Sequence, residues 1–250
     1  MTLQHQVKPI HLKPAAELAE RVLLPGDPHR ALAVAQHLLE GPRMFNHHRG
    51  LWGYTGVAAD GEPLTVQATG MGGPSAAIVT EELITLGARQ LVRIGTCGAL
   101  SDELELGELV VAETVLPADG ASAALGANGA LGSDPELVER LVAAGARPAT
   151  VVSTDLFYDP REGEPSGWIR RGASVVEMEA ATILQVAARR RAVAACVLAV
   201  VDVPAPGGSR RADREQLELI GLRLGDAGYA AVESDPRALG RAASLRPSAL

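Results

Sequence analysis

Arg93 interrupts an apolar run, Leu91 to Ile94, and is followed at once by Gly95-Thr96-Cys97-Gly98. A charge inside such a run is usually paired or functional, so Arg93 reads either as half of a structural ion pair or as an anion ligand. A second segment, Leu24-Pro25-Gly26-Asp27-Pro28-His29-Arg30, ends a strand in a glycine and opens a helix with an acceptor and a proline. The N–H groups and dipole of a helix start favour an anion, and Arg30 can add a charge-assisted bond; a plain helix cap gives the same pattern. Glu177 and Glu179 flank Met178 at a predicted helix start, where acids are favourable in any case. Spaced by two on a helix they diverge, so at most one is expected to face a given ligand. Asp202 directly follows the most apolar stretch of the chain. It reads as a turn acceptor or as a partly desolvated acid able to give a proton.

The elements that must carry these groups follow from periodicity and breakers. Arg21–Leu24 reads as a short buried strand, and Asp27-Pro28 starts a helix to about Leu39. Strands are expected at 51–57, 64–68, 90–94, 109–116 and 150–153, with a central one at 194–201. The glycine-rich turn Gly70–Ser75 leads into a helix ending near Leu86. Further helices are expected at 135–144, at 177–190 and from Arg211 to about Glu233, the last weakened by Gly221, Gly225 and Gly228. Strands alternating with helices predict an α/β fold, a single-domain mixed β-sheet flanked by helices. The Ala/Gly-rich stretch 121–132 reads as a mobile surface loop. Residues 1–233 read as one domain, and 234–250, with Arg237, Arg241 and Arg246 and little apolar pattern, as a disordered tail.

Composition removes several classes. The 250 residues carry a formal net charge of −7, which argues against DNA or RNA as partner while leaving room for a small anion on local arginines. The longest apolar run, Ala192–Val201, is too short to cross a bilayer. The first twenty residues show no apolar signal region. Cys97 and Cys196 sit in apolar stretches with no CxxC pair, as reduced buried thiols of a cytoplasmic protein do. All six histidines fall within the first 48 residues. His47 and His48, adjacent on a presumed strand, would point to opposite faces. With no HExxH or Cys/His cluster, no metal is expected.

Taken in order, LPGDPHRA, NHHRGLWGYTG, TGMGGPSAA, RIGTCGA, STDLFY and VVEMEAA resemble the nucleoside phosphorylase family that includes bacterial purine nucleoside phosphorylases and uridine phosphorylases. The resemblance runs from about Ile10 to Glu233 and implies that family's three-layer sandwich. It also implies cleavage of a nucleoside by phosphate, a co-substrate, with no cofactor. By position, Gly26, Arg30, Arg93 and Thr96 match the residues that hold phosphate. Arg49 matches the arginine that a neighbouring subunit lends to the same phosphate. Met178 and Glu179 match the ribose contacts, and Phe157 the aromatic beside base and ribose. His11 matches, across an alignment gap, the histidine that reaches the ribose 5′-hydroxyl from the partner. Asp202 matches the acid that protonates a departing purine. Borrowed residues imply a dimeric working unit and a homohexamer built from dimers.

The base is less sharply indicated. Uridine phosphorylases read uracil with a Gln and an Arg shortly after the FY pair. Here Asp159-Pro160-Arg161-Glu162-Gly163-Glu164 follows, without glutamine. With Asp202 this favours purine nucleosides. Against that pattern, Val201 stands where the purine enzymes usually have serine, the loop Pro204–Gly208 is unusual, and the arginine assisting Asp202 is either Arg211 or Arg214. The competing readings are a uridine or broad-specificity phosphorylase, a hydrolytic nucleosidase, and a non-catalytic nucleoside-binding protein on the same fold. The three arginines Arg30, Arg49 and Arg93 favour phosphate over water as nucleophile.

Overall fold

The computed structural model describes residues 8–161 and 163–234. The chain runs β1 (Arg21–Leu24), α1 (Pro28–Leu38), β2 (Glu40–Asn46), β3 (Gly53–Val57), β4 (Pro63–Gln67) and α2 (Gly73–Leu86). It continues through β5 (Gln90–Ala99), β6 (Leu109–Ala118), α3 (Gly120–Ala124), β7 (Leu131–Gly132), α4 (Pro135–Ala143) and β8 (Arg147–Thr154). It ends with α5 (Glu164–Arg170), β9 (Val175–Glu177), α6 (Ala180–Arg190), β10 (Val193–Ala205), β11 (Gly208–Arg211) and α7 (Arg214–Val232).

The eleven strands among the described residues form one mixed sheet. One face is covered by α2 and α6 through residues such as Val79, Leu83, Ile183 and Val186. The other carries α1, α4 and α7 through Val34, Leu141 and Leu224. The result is the expected α/β fold of three layers. The sheet is not simply open, however. β10 pairs with β5 in parallel and with β6 antiparallel, while β6–β8, β8–β9 and β9–β5 also pair, so five strands close on themselves. No local pattern announces that closure, because it joins strands remote in sequence.

Several element boundaries move for identifiable reasons. The helix expected from 177 starts at Ala180, because Val175–Glu177 pairs with both β5 and β8. The helix expected from Arg211 starts at Arg214 behind an Asp213/Gln216 capping box, and Gly208–Arg211 forms a hairpin strand on β10 instead. Stretch 121–132 is not one loop. It holds most of α3, capped by Asp119, and β7, which pairs with β6. Polar β2 and the short α5 have no clear period and were not expected. His47 and His48 enter a 3₁₀ turn, not a strand. Among the described residues no helix is long and apolar enough to cross a membrane. Residues 235–250 of the expected tail lie outside the described residues, and its first residue, Ser234, donates its N–H to Asp60 Oδ2 at 2.8 Å.

The glycines of α7 turn out to be packing devices. A Cβ at Gly225 would lie 2.9 Å from Val34 of α1, and one at Gly228 would lie 2.6 Å from Ile94 of β5. The loss in helix propensity, roughly 1 kcal/mol per glycine, is offset by close approach of α7 to its neighbours.

At the other end of the strands a buried ion pair ties β1 to the β3–β4 turn. Arg21 donates to Asp60 and to the carbonyls of Glu62, Pro63 and Val232. Burial pushes the Asp60 carboxyl up, but bonds from Arg21 and from the Ser234 and Glu62 N–H groups outweigh it and hold it well below the usual carboxylate range. A depressed folded-state value adds stability above the unfolded value of 3.8, and that stability is lost as pH falls below it. Asp60→Asn should therefore lower the unfolding free energy at neutral pH by about 3 kcal/mol. The gap from the parent, read by urea denaturation, should narrow steadily below about pH 4.

Candidate active site

Arg93 sits on β5 with only 3% of its surface exposed. Its Nε donates to Glu177 Oε2 at 2.9 Å and its Nη2 meets Glu179 Oε2 at 2.5 Å. Both acids therefore face one guanidinium, against the expectation that they diverge. The reason is backbone: Glu177 ends a strand and Glu179 is the residue before the first turn of α6, so helical spacing does not apply. Glu177 also accepts the Glu179 and Ala180 N–H groups and the Ser153 hydroxyl, so it satisfies the N–H of the first residue of α6. Glu179 Oε1 takes the Gly72 N–H at 2.5 Å, tying the glycine loop to the same cluster. Burial disfavours the charge on Arg93, yet the Glu179 and Glu177 carboxylates more than offset it and keep the guanidinium protonated. Burial and the charge of Glu177 push Glu179 above the ordinary carboxylate range, against the pull of Arg93. A Cβ on Gly95 would lie 2.6 Å from Arg93 Nη2, so only glycine fits there.

Arg93 keeps one donor in reserve: Nη1 is buried with no partner among the described residues. Arg93 lines a cavity of about 950 Å³ together with Gly26, Arg30 and Thr96. Arg30 stands in the first turn of α1, which Pro28 opens and the Asp27 side chain caps through the His29 N–H. Burial draws Arg30 below the usual arginine value; Asp27 opposes this, and the like charge of Arg93 adds to it. Two guanidiniums at a helix start form a corner suited to a small anion.

Met178 and Glu179 line the same cavity, and Phe157 and Asp202 stand on its walls too. Asp202 is aimed by an irregularity. β10 runs level with β5 up to Val200↔Cys97, then carries one extra residue so that Asp202 meets Gly98. A bulge of this kind re-aims a side chain. The β10–β11 hairpin sets Asp202 opposite Arg211, and Arg211 Nε lies 3.0 Å from Asp202 Oδ2. Arg214 instead pairs with Glu218 on the surface, so Arg211 is the arginine on Asp202. Sequence reasoning missed Arg211's strand and the apolar end of the cavity, made by Leu100, Trp168 and Val176. Trp168, 7% exposed on a helix too short to show a period, had no local signal.

His11 and Arg49 do not line this cavity. They belong to a separate patch. Glu82 accepts the N–H groups of Ile10, His11 and Leu12, and its Oε1 lies 2.7 Å from His11 Nδ1. Asn46 holds the neighbouring turn through the Leu51 carbonyl and the Lys13 N–H, and His48 Nδ1 lies 3.0 Å from the His11 carbonyl. Arg49 is exposed there at φ +59°, a left-handed conformation uncommon for a side-chain-bearing residue. A second groove, of about 800 Å³ beside Arg21 and Arg89, is lined by none of the residues singled out for the site.

The family model described as the phosphorylase superfamily matches residues 20–232. A DeoD-type purine nucleoside phosphorylase of Alkaliphilus metalliredigens is 34% identical over 215 residues, 82% of this chain and 92% of that protein. One from Caldanaerobacter subterraneus is 36% identical, over 80% of this chain and 90% of that protein. One from Jannaschia is 37% identical, over 77% and 86%. The crystal structure of a uridine phosphorylase from Vibrio fischeri superposes with a TM-score of 0.75 at 24% identity, covering 86% of this chain and 90% of that one.

Glu177 carries the cluster, so Glu177→Ala should leave Arg93 and two backbone N–H groups short of their partner. Loss of one side of a buried pair costs about 3–5 kcal/mol. Replacing Glu177 and Arg93 together by apolar residues should cost less than Glu177→Ala alone, as measured by chemical denaturation.

Proposed function

The chain belongs to the phosphorylase superfamily, and on that premise we propose that it catalyses the phosphorolysis of purine nucleosides to free base and ribose 1-phosphate. One observation carries the reading. A single cavity has a two-arginine anion corner on one side and an aspartate on another wall, in a chain 34% and more identical to purine nucleoside phosphorylases.

In this reading Arg30, Arg93, Thr96 and the Gly26 backbone hold phosphate. An oxygen of the phosphate attacks C1′ of the ribose as the C1′–N9 bond breaks and its electron pair passes to the base. Positive charge builds on the ribose and negative charge on the purine. The bound dianion stabilises the first, and a proton from Asp202 to N7 neutralises the second. Glu179 has lone pairs left beyond its bonds to Gly72 and Arg93, and it accepts from the ribose hydroxyls while Met178 packs against the sugar. Phe157 packs against base and ribose. No cofactor and no metal enters; phosphate is a substrate.

Two further parts of the proposal rest on less. The patch of His11 and Arg49 lies off the cavity of its own chain, which supports donation of both residues to a neighbour's site. The working unit is then a dimer, and dimers assemble into a homohexamer. The two free, buried cysteines support a cytoplasmic setting, where the reaction serves purine salvage.

The test is base release from inosine, adenosine and uridine, each with and without phosphate. The expected result is release from a purine nucleoside only when phosphate is present. Release from uridine alone would overturn the purine assignment, and release without phosphate would make the protein a hydrolase. Arg93→Ala should lower kcat/KM for phosphate by roughly a hundred-fold or more. Asp202→Asn should lower purine turnover about a hundred-fold with an unchanged melting temperature. Arg49→Ala should raise the KM for phosphate while sedimentation shows the assembly intact; a monomeric, fully active parent would refute the lent arginine.

A further inference from the structure

One polar atom in the cavity wall has no part in the reaction described above. Thr154, the last residue of β8, lines the cavity and is 4% exposed. Its Oγ1 is buried and has no hydrogen-bond partner among the described residues. Side chains alternate along a strand. Ser153 turns its hydroxyl to Glu177, so Thr154 stands on the other face of β8, with Val152. Val152 packs with Trp168 in a small apolar cluster, and Leu100 and Val176 pack against it. Leu100, Trp168 and Val176 are also the apolar end of the cavity. Thr154 therefore sets a hydroxyl among apolar side chains at that end. A buried hydroxyl without a partner is uncommon and costly, and it asks for an explanation. Leu100, Val152 and Val176 have no polar side-chain atom to give it; a ligand in the cavity has. Oγ1 and Cγ2 of a threonine are close in size. A step between staggered χ1 positions turns the hydroxyl to the cavity and leaves the methyl among the apolar neighbours.

We propose that Thr154 reads the C6 substituent of the purine. Phosphate and ribose take the charged side of the cavity, which leaves the flat, largely apolar base to the apolar end. Of the polar positions on the base, N9 carries the ribose and N7 faces Asp202. C6 belongs to the six-membered ring, the one remote from the sugar, so its substituent points toward the apolar end. A 6-oxo group accepts a hydrogen bond, and a 6-amino group donates one. A carboxylate in this place would only accept and a guanidinium would only donate, so either would select one class of purine. A hydroxyl does both by turning its hydrogen. Thr154 thus gives inosine and adenosine the same contact, while a base without a polar group at C6 leaves the hydroxyl unpaired.

The inference rests on the nucleoside reading of the cavity, and its test separates the two. Phosphorolysis of inosine, adenosine and purine riboside, which has only hydrogen at C6, would be compared in the parent, Thr154→Val and Thr154→Ser. Valine keeps the shape and loses the hydroxyl; serine keeps the hydroxyl. For Thr154→Val, kcat/KM should fall about ten-fold with inosine and with adenosine, the scale of one hydrogen bond, and stay within about two-fold with purine riboside. Thr154→Ser should stay near the parent on all three. The melting temperature of Thr154→Val should not fall, because a buried orphan hydroxyl is replaced by a methyl of similar size. A purely structural role would lower all three substrates together, and that result would overturn the proposal. So would unchanged kinetics, or a loss confined to inosine or to adenosine, with the phosphorolysis reading left standing. A parent that cleaves none of the three nucleosides with phosphate would sink both.

Discussion

The buried charge of Arg93 is the constraint around which the site is organised. A guanidinium 3% exposed in the centre of a sheet is tolerable only with opposite charge and hydrogen bonds in place. Glu177 and Glu179 supply them, and doing so recruits much of the surrounding architecture. Glu177 must end a strand that pairs with β5, Glu179 must sit ahead of α6, and position 95 must lack a side chain. Gly72 must then present its N–H to the second acid. One ion cluster thereby ties together β5, β9, α6 and the glycine loop, and leaves Arg93 Nη1 buried without a partner among the described residues.

A second level of control lies in the closure of five strands. β10 is flanked by β5 and β6 over Val197–Ala199 and by β5 and β11 at Asp202, and one extra residue after Val200 bulges the strand between the two stretches. Asp202 emerges from that bulge, and the hairpin that follows sets Arg211 against it. The acid side of the cavity thus depends on strand register, while the anion side depends on a helix start and a buried ion pair. The two halves use unrelated physics and meet only because the strands carrying them are neighbours.

The patch formed by Glu82, His11, Asn46 and Arg49 shows a third use of polar burial. Glu82 is nearly enclosed and its carboxylate is committed to three backbone N–H groups and one imidazole. Burial raises it, and those bonds more than reverse the effect. The first described residues are therefore tied to α2, and Arg49 stands exposed nearby at positive φ.

Much of the molecule was legible in the residues themselves. Asp27-Pro28 marked a helix start because capping is local chemistry. Arg93 and Asp202 stood out because charge beside apolar runs is costly wherever it occurs. The order of six short segments carried the family, since each encodes a local turn or strand end. Eight of the ten residues singled out do line one cavity. What stayed hidden was set by partners distant in sequence. Whether Glu177 and Glu179 diverge or converge depends on pairing of β9 with β5, which overrides helical spacing. Whether Arg211 or Arg214 meets Asp202 depends on a hairpin register, since a shift of one residue would turn the side chain to the other face. The sequence by itself determined which groups have chemistry to offer; the tertiary structure decided which of them meet, because contact between remote segments is settled by pairing and packing.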